Sequence, residues 1–391
     1  MQAKKKALII ANLSGFLWKF ELHNVCLLQD LGYEVHYASN IFEKGYYFEQ
    51  GWLDERNIIF HHIDIARSPY MFGMNARALK ELVRIIDEEE IELIHCHTPV
   101  GGLLGRCAGI MTKAKPKVIY TAHGFHFYKG APFINNFLYK GVEQLLAPLT
   151  DAIVVINKED YIAAKKMKLR QHGKVYKIPG VGIDYSAFCP GTLAEKLAAR
   201  MEIGIKPNDF FALSVGELNI NKNHKTVIQA IKRLFDEKRV DDSFVYGICG
   251  DGFFKEEIKE FVVSQGVKNK VKFFGYQCDI RKFYVAADVT VFPSLREGFG
   301  MAGLESLVMG VPVIAADNRG TREYMKNGVN GYVYRANNVE GFADGLAHMY
   351  KMSDAERMQI SNNCIGTTKG YSYKRVETIM KNVYVDTCKK V

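Results

Sequence analysis

Two glutamates enclose a glycine-rich run in the C-terminal half of the sequence. The run 296–306 reads REGFGMAGLES, with Glu297 near its start and Glu305 eight positions later. Glycines allow a ligand to approach the backbone, and the free N–H groups at the start of a helix attract anions. A helix that begins here would offer a phosphate or a hydroxyl the backbone amides of Gly298, Phe299, Gly300 and Met301. Because Glu297 also accepts hydrogen bonds from hydroxyls, the run predicts a site for a sugar nucleotide.

The alternative for two glutamates at this spacing is a solvated helix face. The run, however, lies between two apolar segments, VTVFPS before it and VPVIAAD after it. Both segments have the pattern of strands in one sheet, and a helix that covers such a sheet exposes little surface at its start. We therefore favour the functional interpretation of Glu297 and Glu305.

Further candidates follow other strand-like segments. Lys222 lies in GELNINKNH, just after the predicted strand end at Gly216, and a solvated loop lysine is the alternative there. His123 lies in TAHGFHF, where the alternative is a histidine of the core. Three more positions are predicted to line a nucleotide pocket through a tight turn or through backbone groups: Gly250, Gly252 and Tyr276. Glycine turns alone do not specify a nucleotide.

Short β-branched segments alternate with helical patterns along the whole chain, which predicts an α/β protein with parallel sheets. Pro and Gly cluster at 179–192, and this cluster predicts a linker between two Rossmann-like domains, 1–182 and 183–370. The remaining residues, 371–391, have helical spacing and are expected to pack back onto the N-terminal domain. Ligands bind at the carboxyl ends of the strands in such sheets, so two rows of strand-end loops are expected to face each other across a cleft.

The formal net charge of +9 comes from one stretch of the chain. Residues 101–182 carry thirteen Lys and Arg against four Asp and Glu, and the rest of the chain is neutral. A solvated basic face is one explanation, and an anionic membrane surface or a phosphate-bearing substrate is the other. No recognisable nucleic-acid-binding motif accompanies the stretch, so no nucleic-acid partner is expected.

The cysteines and histidines predict no metal site. The eight cysteines include no C-x-x-C pair, which is typical of reduced thiols in a cytoplasm. His95 and His97 form the segment HCH but have no companion ligands nearby in the sequence, so core or pocket histidines are expected. No uncharged apolar segment is long enough to span a membrane.

Taken together, these segments resemble the large retaining glycosyltransferase family 4, whose members have the two-domain GT-B fold. The resemblance rests on TAHGFHF, GELNINKNH, GICGDG, GYQCDIRKFYVAADVTVFPSLREGFG and the run EGFGMAGLE before MGVPVIA, all in the expected order. It covers nearly the whole chain and is nearest to bacterial enzymes that assemble capsular polysaccharide or exopolysaccharide.

The resemblance implies roles for individual residues. Glu297 contacts hydroxyls of the donor sugar, Glu305 contacts the ribose hydroxyls, and Lys222 binds the donor diphosphate. His123 matches the family histidine that approaches the donor sugar and its transferred carbon. Gly15, in NLSGFLW, matches a glycine of the first loop, which borders the phosphates and the acceptor. The implied reaction retains the anomeric configuration and needs no metal and no cofactor, with a UDP-sugar as the donor substrate.

One position departs from the family pattern. Many members have an arginine beside the glycine at 216, where this chain has Glu217. A glutamate that pointed inward would repel a diphosphate; if it points away, Lys222 and the amides of the glycine-rich run suffice. A non-catalytic sugar-nucleotide-binding protein is therefore the alternative function. A nicotinamide oxidoreductase would need G-x-G-x-x-G after the first strand, which NLSGFLW lacks.

The acceptor is expected to be a saccharide linked to a polyprenyl diphosphate. Mixed basic and aromatic residues are typical of a membrane interface. The basic stretch carries the aromatic residues Phe125, Phe127, Tyr128, Phe133, Phe137 and Tyr139. The domain core is the alternative and is expected to account for part of them. We expect a cytoplasmic protein that binds the inner face of the membrane peripherally.

Overall fold

Parallel strands and helices alternate along the chain in the computed structural model, which describes residues 4–43 and 48–389. They form two units. The first unit comprises the chain up to Gly182 together with the residues from Tyr373 onward, and the second comprises Ile183–Ser372. The change of unit after Gly182 lies inside the Pro- and Gly-rich segment 179–192.

Within the described residues, the first unit is built on a seven-stranded parallel sheet with strand order β3-β2-β1-β4-β5-β6-β7. Its strands are β1 (Lys5–Ile10), β2 (Tyr33–Ser39), β3 (Ile58–His62), β4 (Leu93–His97), β5 (Lys117–Ala122), β6 (Ala152–Val155) and β7 (Lys174–Lys177). All of β4 and β6 is buried, which is typical of central parallel strands that helices cover on both faces.

The first unit's helices connect these strands. They are α1 (Leu22–Asp30), α2 (Gly51–Glu55), α3 (Phe72–Glu88), α4 (Pro99–Met111), α5 (Phe133–Leu146) and α6 (Lys158–Ala164). In α3 the buried residues Ala78, Leu82, Ile85 and Ile86 recur at the spacing of one helix face. A π-helical turn, Leu17–Glu21, leads into α1 and is a type of structure often found at functional sites.

The second unit holds, among the described residues, a six-stranded parallel sheet with strand order β10-β9-β8-β11-β12-β13. Its strands are β8 (Phe210–Val215), β9 (Phe244–Cys249), β10 (Val271–Gly275), β11 (Val289–Phe292), β12 (Val313–Ala316) and β13 (Gly331–Tyr334). This is the strand order of a Rossmann fold. Both sheets therefore have a point at which the winding reverses, between β1 and β4 in one and between β8 and β11 in the other.

Helices surround the second sheet as well. They are α7 (Leu193–Glu202), α8 (His224–Asp236), α9 (Lys255–Ser264), α10 (Arg281–Ala286), α11 (Met301–Val308), α12 (Val339–Lys351) and α13 (Asp354–Thr368). Reciprocal capping boxes start two of them. Thr192 pairs with Glu195 at α7, and Ser353 pairs with Glu356 at α13.

The last helix, α14 (Tyr373–Cys388), belongs to the first unit and packs near α1 and β5. It buries Val376, Met380, Val383 and Tyr384. The hydroxyl of Tyr384 lies 2.9 Å from Nδ1 of His95 on β4. Val385, near the end of the same helix, is 38% exposed.

Two strands escape the sequence analysis, β3 and β13. Each forms an edge of its sheet, and each is only partly buried. Their sequences, IIFHH and GYVY, therefore lack the long apolar run that marks the central strands. Among the described helices, none combines the length and apolar character that crossing a membrane requires.

Candidate active site

The predicted donor residues of the second unit lie in two neighbouring loops. One loop follows β8 and contains Lys222; the other follows β11 and contains Glu297. Because β8 and β11 pair directly, both loops leave the carboxyl end of the sheet where the winding reverses. Ligands of open α/β sheets bind at this position.

Lys222 and Glu297 form an ion pair with 2.6 Å between Nζ and Oε1. The lysine side chain is 21% exposed and the glutamate 14%. The ammonium group lies 5.1 Å from the ring centroid of Phe292, at the end of β11. Gly216 leaves room for the lysine stem, since a Cβ there would lie 3.1 Å from Lys222 Cε. The aliphatic part of the Lys222 side chain thus runs over the strand end, and its ammonium group lies at the loop after β11.

Hydrogen bonds from the backbone and from an asparagine side chain hold the two loops together. The amide of Leu295 donates to the carbonyl of Asn221 at 2.8 Å, and the Asn221 side chain donates to the carbonyl of Arg296 at 2.9 Å. The side chain of Asn219 accepts from the amide of Lys222 at 3.0 Å and so starts the short turn that bears the lysine. The asparagines of NINKN therefore position Lys222 next to Glu297.

Two glycines allow the loop after β9 to approach the loop after β8. A Cβ at Gly250 would lie 1.9 Å from the carbonyl oxygen of Gly216, and one at Gly252 would lie 2.4 Å from that of Leu218. No side chain fits at such distances. The glycines of the predicted GDG turn are thus required for the two loops to pack at the same strand-end surface. Tyr276 directly follows β10 and is 57% exposed.

The glycine-rich run starts α11 as expected. Gly300 precedes the helix with a φ of 86°, a left-handed conformation that favours glycine. Its carbonyl accepts a hydrogen bond from the Tyr324 hydroxyl at 2.8 Å. The Phe299 side chain is buried against Tyr324 and Tyr371, with ring centroids 5.5 and 5.8 Å away. Only its backbone is therefore available to a ligand.

Glu305 lies one turn into α11 and is held by a buried tyrosine. The Tyr284 hydroxyl is 3.0 Å from Oε2 of Glu305 and 3.0 Å from the carbonyl of Ala302. Burial, followed by the charge of Glu305, raises the pKa of Tyr284 well above its usual value, so this hydroxyl keeps its proton. One oxygen of Glu305 is thus fixed by the protein.

Glu217, the departure from the family pattern, is exposed. Its carboxylate accepts a hydrogen bond from Asn219 Nδ2 at 3.0 Å. Arg319, which the sequence analysis misses, is buried and donates to the carbonyl of Glu297 at 3.4 Å. It follows β12, so the strand-end rule that indicates the other candidates would have indicated it too.

A second cluster forms at the point where the winding of the first sheet reverses. Glu21 ends the π-helical turn after β1, His97 ends β4 and His123 follows β5. Oε1 of Glu21 lies 3.4 Å from Nδ1 of His97 and 3.4 Å from Nε2 of His123, and the two nitrogens are 3.2 Å apart. His95 and His97 are both buried, as expected for core or pocket histidines, and strand ends that are distant in the sequence bring Glu21 and His123 next to His97 at this edge.

The cluster is largely closed to solvent. The side chains of Glu21 and His97 are 2% and 0% exposed, while His123 is 21% exposed. Gly15 lies just before Phe16, whose ring is 5.1 Å from that of His123. His123 is thus the member of the cluster that a ligand could reach, and Glu21 is a buried partner that the sequence analysis does not identify.

Burial by itself raises the pKa of Glu21, but the attraction of His97 and the hydrogen bond and charge of His123 outweigh it, and the pKa falls to about 2. Burial lowers the pKa of His97 well below its usual value and that of His95 to about 4. His95 is satisfied by Tyr384 and by Thr121, whose Oγ1 lies 2.7 Å from Nε2. The first unit thus keeps a buried carboxylate beside His123.

Comparison with known proteins agrees with this architecture. Residues 25–179 match the family described as Glycosyltransferase Family 4, and residues 195–365 match Glycosyl transferases group 1. EpsD of Bacillus subtilis (strain 168), named as a glycosyltransferase, is 35% identical over 97% of this chain and 96% of its own length. An Escherichia coli protein named UDP-Gal:alpha-D-GlcNAc-diphosphoundecaprenol alpha-1,3-galactosyltransferase is 30% identical over 79% of each chain.

Solved structures of lower identity share the fold. HepE of Anabaena, in a complex with UDP and glucose, has a TM-score of 0.77 and 18% identity, and covers 97% of this chain and 99% of its own. Sucrose-phosphate synthase of Thermosynechococcus elongatus has a TM-score of 0.78 and 16% identity, with 98% of both chains covered. Two Rossmann-like units with these neighbours define a protein of the GT-B class. The chain belongs to glycosyltransferase family 4.

Proposed function

We propose that this glycosyltransferase moves a hexose or an N-acetylhexosamine from a UDP-sugar to a saccharide acceptor in surface polysaccharide assembly, with retention of configuration. The observation that carries the proposal is the Lys222–Glu297 pair beside the start of α11. A cation, a carboxylate and the first amides of a helix within one strand-end surface suit the diphosphate and the sugar hydroxyls of one ligand.

The donor is assigned to UDP-sugars on two grounds. The solved relative HepE binds UDP and glucose, and the E. coli relative is named for UDP-galactose. In this chain, binding of the ribose hydroxyls is assigned to Glu305. Tyr284 fixes the position of the Glu305 carboxylate through its hydrogen bond. The names of these two proteins mention glucose, galactose and N-acetylglucosamine, so the proposal covers both a hexose and an N-acetylhexosamine as the transferred sugar.

Stabilisation of the leaving diphosphate is assigned to Lys222 and to the amides of Gly298, Phe299, Gly300 and Met301. Negative charge builds on the diphosphate as the glycosidic bond breaks, and fixed cations and backbone N–H groups stabilise that charge without reorganising. The sequence contains no D-x-D motif of the kind that binds a metal in other glycosyltransferases. We therefore propose a metal-independent reaction, in which the departing phosphate helps deprotonate the acceptor hydroxyl.

His123 is assigned to the transferred sugar, as the family resemblance implies. Its partial exposure beside the buried carboxylate of Glu21 supports this assignment, because the contact of 3.4 Å between Glu21 Oε1 and His123 Nε2 restricts the orientation of the ring. The acceptor is assigned to a saccharide on a polyprenyl diphosphate. The E. coli relative, by its name, acts on a sugar-diphosphoundecaprenol, and the basic stretch 101–182 suits an anionic partner at a membrane surface.

The second candidate is a sugar-nucleotide-binding protein without turnover. Glu217 favours it, because this position lacks the arginine that many family members have. The exposure of Glu217 and its hydrogen bond to Asn219 weaken the objection, since the carboxylate already has a partner within its own loop.

Thermal unfolding with nucleotides and a transfer assay separate these functions. Purified protein is first heated with UDP, GDP, ADP and their sugars; a ligand at a hundredfold excess over its Kd stabilises the native state by about 2.7 kcal/mol. The stabilising UDP-sugar is then radiolabelled and offered to polyprenyl-diphosphate saccharides. UDP-selective stabilisation with label transfer supports the enzyme, and stabilisation without transfer to any acceptor supports the binding protein. No response to any uridine nucleotide overturns both.

A further inference from the structure

Helix α5 exposes an apolar stripe that its own packing does not explain. Phe133, Phe137 and Leu145 are 84%, 71% and 78% exposed, and Ile134, Leu138 and Val142 continue the stripe. Leu146 is the helix's buried residue. Contiguous apolar surface of this kind marks an interaction site in soluble proteins.

The other side of α5 is fixed to the first unit. Glu143 accepts from buried Arg106 at 2.7 Å, and Tyr139 packs against the core. The Asn136 side chain accepts from the amide of Tyr128 at 2.9 Å and donates to its carbonyl at 3.1 Å. Because this opposite face of α5 packs on the first unit, the apolar stripe points away from the first unit. Of the aromatic residues in the basic stretch, Phe125 and Phe127 are core residues, whereas Phe133 and Phe137 lie on the stripe.

A groove of about 650 Å³ runs between α5 and α6. Three lysines line it: Lys129 from the loop after β5, Lys140 from α5 and Lys166 just after α6. Its apolar lining includes Ile162 and Met167. Within residues 4–43 and 48–389, none of the three lysines forms an ion pair, so the groove gathers positive charge.

The groove's carboxylates already have partners in the backbone. Glu159 accepts from the amide of Lys129 at 2.9 Å. Asp160 accepts from the amide of Phe125 at 3.1 Å and from the Asn157 side chain at 2.7 Å. These acids shape the loop and the start of α6, and the lysines are left to bind an anion.

The groove and His123 share one loop. His123 begins the segment after β5, and Phe127, Tyr128 and Lys129 in the same segment line the groove. Six residues of extended chain span at most about 20 Å, which limits the distance between the groove and the histidine. Lys129, at the edge of the groove, therefore lies within about 20 Å of His123, and a saccharide attached to a diphosphate beside this lysine would have at most that distance to span.

We infer that the groove between α5 and α6 binds the diphosphate of a polyprenyl-linked acceptor, while the α5 stripe enters the lipid interface. This inference rests on the proposed function and assigns that function its acceptor site. Charge complementarity identifies the occupant, because three lysines next to an apolar stripe match a diphosphate next to an isoprenoid chain. Apolar side chains beside lysines bind membrane interfaces in the same way.

Vesicle flotation tests the inference, with two kinds of vesicle of equal surface charge in a phosphatidylcholine background. One kind carries a polyprenyl diphosphate and the other carries phosphatidylglycerol. We expect the protein to bind the diphosphate vesicles at least about tenfold more tightly. The variant K129A/K140A/K166A should lose this preference, and F133S/F137S should lose binding to both kinds of vesicle.

A matched control removes the same charge elsewhere in the basic stretch. The variant K113A/K165A/K168A replaces three exposed lysines outside the groove and should keep the preference for diphosphate. Equal binding to both vesicle kinds by the wild type, or an equal loss in both triple variants, overturns the inference. Stabilisation by UDP is measured on every variant, because it depends on the second unit. Its absence in the wild type would contradict the proposed function, whatever the vesicles show.

Discussion

Lys222 and Glu297 are 75 positions apart in the sequence, and their side chains meet with 2.6 Å between Nζ and Oε1. Under the proposed function, a donor diphosphate would compete with the Glu297 carboxylate for the lysine ammonium and would release that carboxylate for a sugar hydroxyl. In this proposal the pair links recognition of the diphosphate to recognition of the sugar.

Lys222→Ala is expected to lower kcat by roughly 10²- to 10³-fold, the loss typical of removing one group that stabilises developing negative charge. Steady-state transfer with the identified UDP-sugar measures this loss, and circular dichroism checks the fold. Lys225→Ala is the matched control, because Lys225 forms an exposed 2.6 Å pair with Glu257 on the same unit. Transfer by Lys222→Ala at the rate of that control would contradict the assignment.

Glu297→Gln separates the sugar from the diphosphate. The substitution removes the negative charge that neutralises Lys222, so UDP affinity is expected to stay equal or to rise. Transfer should fall, because the neutral glutamine amide accepts a hydrogen bond from a sugar hydroxyl less strongly than the glutamate carboxylate does. Titration calorimetry with UDP and the transfer assay measure the two effects, and Glu257→Gln is the control. A loss of UDP affinity larger than the loss of transfer would show that Glu297 acts on the nucleotide instead.

Glu217→Arg restores the residue that many family members have, on the exposed loop beside Gly216. We expect the Kd for UDP to fall by roughly tenfold, since hydrogen bonds to charged groups contribute about 1.5–3 kcal/mol and this site is partly solvated. Glu260→Arg, an exposed position on α9, makes the same change of charge away from the site. If both variants gain equally, the effect is one of net charge, and Glu217 does not tune the site.

Gly250→Ala should destabilise the second unit by more than about 2 kcal/mol. The new Cβ would lie 1.9 Å from the Gly216 carbonyl oxygen, and the residue has a φ of 149°. Gly366→Ala is the control, because a Cβ at that helical position meets no atom within 4 Å. Urea unfolding compares the two. Equal stability in both variants would mean that the β8 and β9 loops separate readily.

Acid should unfold the first unit partly through Glu21. The pKa of Glu21 is about 2 in the folded protein, against an ordinary value of 4.5 for a glutamate exposed in the unfolded chain. A lowered carboxyl pKa stabilises the folded state above pH 4.5, and that contribution is lost as the pH falls from 4.5 towards 2. The shift corresponds to about 3 kcal/mol for this buried group.

Urea unfolding of wild type and Glu21→Gln at pH 7, 5, 4 and 3 measures this contribution. The difference between the two proteins should shrink as the pH falls below 4.5. The depressed pKa of His95, about 4, adds an earlier loss between pH 6.5 and 4 in both proteins, because the unfolded histidine takes up a proton first. A difference that stays constant from pH 7 to pH 3 would show that Glu21 is not ionised in the fold.

The sequence by itself determined the fold class and most of the strands. Apolar runs of four to six residues separated by helical patterns leave few alternatives to buried parallel strands. The rule that ligands bind at strand ends then indicated the segments that contain Lys222, His123 and Glu297, and the family resemblance singled out these residues within them. The short edge strands β3 and β13 were missed, and their sequences, IIFHH and GYVY, carry a weaker apolar signal than the central strands do.

The tertiary structure alone decided which of these residues meet. Lys222 and Glu297 come together because β8 and β11 pair across the point where the winding reverses, although three strands separate their loops in the chain order. Glu21, His97 and His123 meet at the corresponding edge of the first sheet for the same reason. Sequence periodicity reports the burial of each segment, whereas the order of strands in a sheet depends on packing between segments far apart in the chain.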